Sequence, residues 1–286
     1  MEPTDYIQRR QQLWARRNKK SLRTRLPNDN DATRENDVAE LGDNLFAPLM
    51  PESRTEFENG DGGELYADQR VRNIDAVYSS SAIFANSIEY WRQASNLTTI
   101  TKALKIPSTQ ITGLRFEAKH IIDPNFKRAT NLDGCFYYES TSKLKAIGIE
   151  SKFSESYSNR EVTPLNTRYI ELPQREQLPA TLQLARKLHH GTTEFKHIGA
   201  SQLIKHILGM VTAYGCSGFK LLYLWYAVPH QDNHTHAEEI EQFRECVTAD
   251  GIHFVALTYQ ELFLRLAHQE RGLHQAYVDY LIERYL

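Results

Sequence analysis

The chain has 286 residues and a formal charge of −2, from 34 Lys and Arg against 36 Asp and Glu. Its mean hydropathy of −0.55 and the lack of any apolar run near the roughly 18 residues that a membrane span needs predict no transmembrane helix, and the near-zero charge excludes a histone-like coat of positive charge. The length is enough to bury a core without disulfide staples, and Cys135, Cys216 and Cys246 show no CxxC pairing, which reads as reduced thiols in a cytoplasmic protein.

The average charge hides a segregation. Residues 6–27 hold eight Lys and Arg and no acid, while residues 28–64 hold eleven acids and two Arg. Residues 5–22 predict a helix with Tyr6/Ile7 and Leu13/Trp14 one heptad apart on one stripe. Its Arg9, Arg10, Arg16 and Arg17 are then either the solvated face of a helix packed on the body or an arm for nucleic-acid phosphates. Glu2 and Asp5 argue against a mitochondrial presequence, and no apolar stretch of a secretory signal follows the basic residues. The acidic, turn-rich segment 27–64 reads as a loose linker, with order beginning near residue 70. Its glycine-rich Asn59–Gly63 lacks the strand and Lys-Ser/Thr of a phosphate loop.

Helical spacing of Ile83, Phe84, Ile88 and Trp91 predicts a helix over 79–94. Strands are predicted over 111–119, 131–139 and 145–154, the last two joined by the polar turn 140–143. Helices follow over 179–190 and 200–214, an apolar strand over 219–228, a helix over 237–248, a second apolar strand over 252–257, and two helices broken at Gly272. Early strands with hairpin spacing, then alternating helices and apolar strands, imply an α/β (α+β) chain with a mixed sheet flanked by helices. The expected organisation is an arm and linker at 1–69, a core at 70–257 with an insertion at 155–199, and C-terminal helices at 258–286.

Side chains alternate faces along a strand, so Glu150 and Lys152 share one side of the third strand. Ala146 and Gly148 share it too and are small, which is expected to leave room above the sheet, while Ile147, Ile149 and Phe153 fill the opposite, core-side face. Asp133 lies on the preceding strand, and a short antiparallel connection brings the two carboxylates within reach of one divalent ion. Two carboxylates hold Mg²⁺ (or Mn²⁺) through hard oxygens, the ion activates water and polarises a phosphoryl oxygen, and a lysine offsets charge that develops on phosphate. The combination suits phosphodiester hydrolysis. The alternative is structural: a Glu150–Lys152 surface ladder, with Asp133 capping a turn through Gly134.

Asp133 followed by Glu150-Ser151-Lys152 resembles the D…(D/E)xK signature of the PD-(D/E)xK nuclease superfamily, the fold of many restriction endonucleases. The text from Asn131-Leu132-Asp133-Gly134 to Ile149-Glu150-Ser151-Lys152-Phe153-Ser154-Glu155 is similar to a group of bacterial proteins described as restriction endonucleases. The superfamily's nominal Pro is here Leu132. The resemblance covers roughly residues 79–257 and implies a restriction-endonuclease-like fold, a Mg²⁺-dependent endonuclease acting on DNA, Asp133 and Glu150 as metal ligands and Lys152 as the residue that positions water. It also implies a polar residue of the following helix facing the site, here Gln202, with Lys205 one turn along and His206 beside them.

A second ExK, Glu117-Ala118-Lys119, has no Asp-bearing strand before it, so Glu117 is expected as a third acid of the metal site, with Glu89 a weaker candidate. Phosphate contacts from the insertion are expected of Arg160, Arg168, Arg175, Arg186 and Lys187. His230, His234 and His236 have metal-like spacing in a polar loop without a cysteine, His189-His190 read as a helix C-terminal cap, and Tyr137, Tyr138, Tyr223 and Tyr226 as sheet packing. Double-strand cleavage would favour a homodimer, RNA stands as an alternative substrate, and a nuclease-fold subunit that only binds nucleic acid or a partner stands as the alternative to cutting.

Overall fold

The computed structural model describes residues 1–23, 36–61, 63–65, 72–158, 164–172, 176–193, 195–269 and 272–286. Among them one five-stranded sheet runs in the order β1 (Ile111–His120), β2 (Thr130–Tyr138), β3 (Ala146–Lys152), β4 (Phe219–Trp225), β5 (His253–Thr258). The β1–β2–β3 pairs are antiparallel and the β3–β4–β5 pairs parallel. The mixed sheet follows from the connections: a short turn suffices between antiparallel neighbours, whereas each parallel step needs a helical crossover. Those crossovers are α6 (Pro179–His189) with α7 (Ala200–Tyr214), and α8 (Gln231–Thr248).

Both faces of the sheet are covered. Ile147 and Ile149 of β3, with Phe153 just past its end, belong to a core shared with α4 (Ser80–Gln93), α5 (Leu97–Ala103), α9 (Tyr259–Gln269) and α10 (Gln275–Tyr285). Ala146 belongs to a second core, with α6, α7 and α8. Each fully buried Ile or Phe contributes about 1.5–3 kcal/mol, so alternation along β3 ties the two layers together. Contrary to the sequence expectation, the small residues beside Glu150 do not leave open room. A Cβ on Gly148 would stand 2.6 Å from Leu132 Cδ1 and 3.5 Å from Met210 Cε, and one on Gly209 would stand 2.5 Å from Thr130 Cγ2. The missing side chains let α7 lie close on the sheet, and space opens only beyond Glu150.

The C-terminal part of the acidic region also differs from the linker reading. Residues 36–61 fold onto the body through α2 (Leu41–Asn44) and α3 (Pro51–Glu58). Leu45 and Phe57 are buried in the first core, and Glu56 pairs with Arg92 at 2.7 Å. Composition averaged over the segment conceals these few apolar anchors. Residues 24–35 lie outside the described residues. α1 (Pro3–Arg17) packs on α10 by burying Ile7, Gln11, Trp14 and Ala15, while Arg9, Arg16 and Arg17 stay exposed. α8 begins at Gln231 rather than at residue 237, because the His230 side chain accepts from Asp232 N at 3.2 Å and caps the added turn.

Candidate functional site

The site forms where the ladder between β2 and β3 stops. Pairing ends at Gly134↔Ile149, and beyond it the Ser151 N–H donates instead to Asp133 Oδ2 at 2.6 Å. The carboxylate replaces a ladder acceptor and is fixed where the strands part. On its other side β2 pairs with β1 at Phe116↔Gly134 and Ala118↔Leu132, with no pair recorded between them. Glu117 occupies that gap with φ +50, a backbone conformation that L residues rarely adopt. Local strain of this kind clusters at functional sites.

Asp133, Glu150, Glu117, Lys152, Gln202 and Lys205 all line one cavity of roughly 940 Å³. Lys152 Nζ lies 2.6 Å from Glu150 Oε1 and donates to Gln202 Oε1 at 3.2 Å. His206 Nε2 lies 2.9 Å from the other oxygen of Glu150, and His206 Nδ1 meets Thr130 Oγ1. Neither of the two contacts to Glu150 has the alignment of a hydrogen bond. Glu117 accepts from Asn131 Nδ2, and an added Cβ at Gly60 would clash with its carboxylate, so the α3 end closes over it.

The electrostatics divide the acids. Burial alone would raise the Glu150 carboxyl, but the charge of Lys152 and the contact with His206 outweigh it and lower it to about 2. Burial likewise opposes the Lys152 ammonium, yet the charges of Glu150, Glu155 and Asp133 raise it. Asp133 is raised well above the usual carboxylate range by burial and then by the charge of Glu150. Glu117 is raised to about 7, by burial first, against the Asn131 hydrogen bond and with help from Glu64, Glu150 and Asp61. One ammonium therefore serves three acids, and an added cation would relieve the pressure that Glu150 puts on Asp133.

The donor set is hard oxygen and fits Mg²⁺ or Mn²⁺, which are held through one or two carboxylates with water and substrate phosphate completing the shell. Among the described residues, however, no group of three or more His, Cys, Asp or Glu side chains is placed to hold a metal ion. The chain offers acids around a cavity and not a closed metal centre.

The other expected residues divide between the cavity and the scaffold. Arg168 lines the cavity, whereas Arg160 and Arg175 lie outside the described residues. Arg186 and Lys187 stand in the last turn of α6. Arg10 donates to Tyr6 Oη, and none of Arg9, Arg10, Arg16 and Arg17 lines the cavity. Lys119 pairs with Asp61 at 2.7 Å and does not line the acid cavity. Glu89 accepts from Met50 N and Ser53 Oγ and tethers α3 to α4. The three histidines diverge: His234 is exposed beside Glu238, and buried His236 bonds Tyr223 Oη at 2.9 Å. His189 holds the Leu165 carbonyl at 2.8 Å rather than its own helix end.

Sequence reasoning placed His206 next to Gln202 and Lys205 without giving it a role; its spacing of four from Gln202 is the signal that puts both on one face of α7. Arg128 and Tyr169, which also line the cavity, carry no comparable signal.

A sequence model of the REase-ARP family, described as Restriction Endonuclease associating with ARP, matches residues 8–286. No curated protein and no solved structure matches the chain.

Proposed function

The chain belongs to the REase-ARP family of restriction endonucleases associating with ARP, and from that premise we propose that it is the nuclease-fold subunit of a partner-dependent system directed at nucleic acid, which in the state described here binds rather than cuts. The observation that carries this reading is that a nitrogen of the chain stands against each oxygen of Glu150, Lys152 at 2.6 Å on one and His206 at 2.9 Å on the other, where a metal ion would have to bind. The lack of a three-ligand group among the described residues points the same way. DNA is the expected nucleic acid, with RNA as the alternative.

A second reading, metal-dependent hydrolysis of phosphodiester bonds, draws support from the gathering of Asp133, Glu150, Lys152 and Gln202 around one cavity. Asp133 and Glu150 would hold Mg²⁺ or Mn²⁺, with Glu117 as a further acid, and the ion when bound would polarise a phosphoryl oxygen and acidify a water. Lys152, poised between Glu150 and Gln202, would place its ammonium against charge developing on phosphate. Gln202 would hold that lysine in line through its amide oxygen. Each chain carries one such site, so cutting both strands would call for two copies.

Purified chain incubated with plasmid, linear duplex, single-stranded DNA and RNA, in Mg²⁺, Mn²⁺ or EDTA, separates the readings. Shifted but uncut nucleic acid in every arm is the result expected of the binding subunit. Products that need the metal and vanish in Lys152→Ala, but persist in Lys119→Ala, would replace it with the cutting reading.

A further inference from the structure

A second pocket, of about 420 Å³, opens beside the acid cavity. Five residues, Lys152, Glu155, Tyr169, Gln202 and Lys205, line both spaces, so a strand whose phosphate sat at the acids would have its next unit at this doorway. We infer that the pocket takes a single nucleotide unstacked from a nucleic-acid strand, with its base against Leu165, Phe195 and Tyr169 and its phosphate at Lys152 and Lys205. The inference rests on the nucleic-acid reading proposed above.

The chemistry of the walls selects this ligand. An inorganic anion would need the cations but not the apolar floor, and a purely apolar ligand would need the floor but not two ammonium groups. A nucleotide uses both. The volume lies within the range of small-molecule sites, and enzymes that act on or read an extruded base hold it between apolar or aromatic walls while bonding its edge. Ser201 Oγ is buried at this pocket without a hydrogen-bond partner and supplies one such bond. Glu155 is the pocket's acid, and it is turned toward the Phe153 N–H at 3.2 Å, which removes part of its repulsion of phosphate.

The pocket is also built rather than loose. Glu239 of α8 accepts from three successive N–H groups, of Lys196, His197 and Ile198, at 2.7, 2.8 and 3.0 Å. His197 Nδ1 bonds the Ser156 carbonyl at 2.8 Å, joining the two loops across the pocket. Tyr169 is braced by the edge of Phe126 at 5.3 Å and by the Arg168 guanidinium at 4.7 Å. A fixed aromatic wall of this kind loses little entropy when a base stacks on it.

The test uses the full chain with oligonucleotides of DNA and of RNA carrying 2-aminopurine at successive positions, in EDTA, read by anisotropy for binding and by 2-aminopurine emission for unstacking. Wild type should bind and give a several-fold rise in emission at one position. Tyr169→Ala should lose that rise and bind about five- to a hundredfold more weakly, the effect of one stacked base, while Tyr169→Phe should keep both. Binding without a rise at any position, or an undiminished rise in Tyr169→Ala, overturns the pocket and leaves the nucleic-acid reading standing. No binding to either nucleic acid overturns both.

Discussion

Two buried charged groups of this chain are treated in opposite ways. Arg284, 1% exposed, pairs with no acid among the described residues, yet its guanidinium is satisfied throughout. Nε donates to Gln11 Oε1, Nη1 to the Asn44 carbonyl and Tyr280 Oη, and Nη2 to Asn44 Oδ1 and the Val77 carbonyl. Those are all five of its donors, and the Trp14 ring lies 4.2 Å from its centre. Glu150, equally buried, has a cation on one oxygen and His206 on the other, with neither contact aligned as a hydrogen bond and two further acids pressing on it. The arginine is finished by folding: it closes α1, α2 and α10 around itself. The carboxylates are not, and a buried polar cluster left under-satisfied is the mark of a site that awaits a ligand.

The contrast predicts opposite responses to neutralisation. Arg284→Met removes a charge whose neutral partners were arranged for it and takes the guanidinium donor from Asn44 Oδ1 and the Val77 carbonyl, and should lower the unfolding free energy by about 3–5 kcal/mol, measured by urea titration. A loss below about 1 kcal/mol would show that the cage tolerates an apolar occupant and would erase the distinction.

A third buried group sharpens the comparison through pH. His236 is lowered to about 3 by burial, then by His197 and Lys152, against an ordinary value of 6.5. The unfolded chain therefore binds the proton more readily. The native advantage is complete above pH 6.5 and falls as pH drops through the range down to about 3. At one pH unit per 1.36 kcal/mol, the loss reaches about 2 kcal/mol by pH 5. Urea midpoints of wild type should fall over this interval, and those of His236→Gln should fall less. Parallel curves would show that His236 takes up its proton without unfolding the chain.

The reverse sign belongs to the acids. Asp133→Asn removes a carboxyl that burial and the charge of Glu150 raise well above its ordinary range and keeps an acceptor for Ser151 N, so in EDTA it should stabilise the chain by about 1 kcal/mol, as relief of a strained functional site often does. On the cutting reading wild type should gain about 1.4 kcal/mol in Mg²⁺ at ten times its dissociation constant, and Asp133→Asn should lose that gain. A wild type indifferent to Mg²⁺ would favour the binding subunit over the cutting enzyme.

What was legible in the sequence follows the range of the interactions. Alternation along β3 placed Glu150 and Lys152 on one face, and a short connection placed Asp133 on the neighbouring strand; both are local facts. The closure of the space over Gly148 was not legible, because it depends on how near α7 lies. Nor was the His206–Glu150 contact, which joins a helix to a strand across the whole insertion. The folding of residues 36–61 escaped because charge density was averaged, whereas Leu45 and Phe57 act singly. The strained backbone at Glu117 has no sequence signal at all, since a glycine is what such a position usually invites.

The smallest expected effect tests whether the site ends at the cavity. Arg9, Arg16 and Arg17 project from a helix whose other side is locked to α10, so their charges are held on a fixed surface. Replacing all three with Gln should change stability by no more than about 0.5 kcal/mol, because none sits in a buried pair. If phosphates reach this surface, each lost contact should reduce the steepness of the salt dependence of nucleic-acid binding by about 0.9, and three together by nearly three times that. An unchanged slope would confine nucleic acid to the Lys152–Lys205 side and leave the basic face free for an acidic surface of the partner. Plotting the logarithm of affinity against that of salt for wild type and the triple variant decides between a long footprint and a short one, whether or not the strand is ever cut.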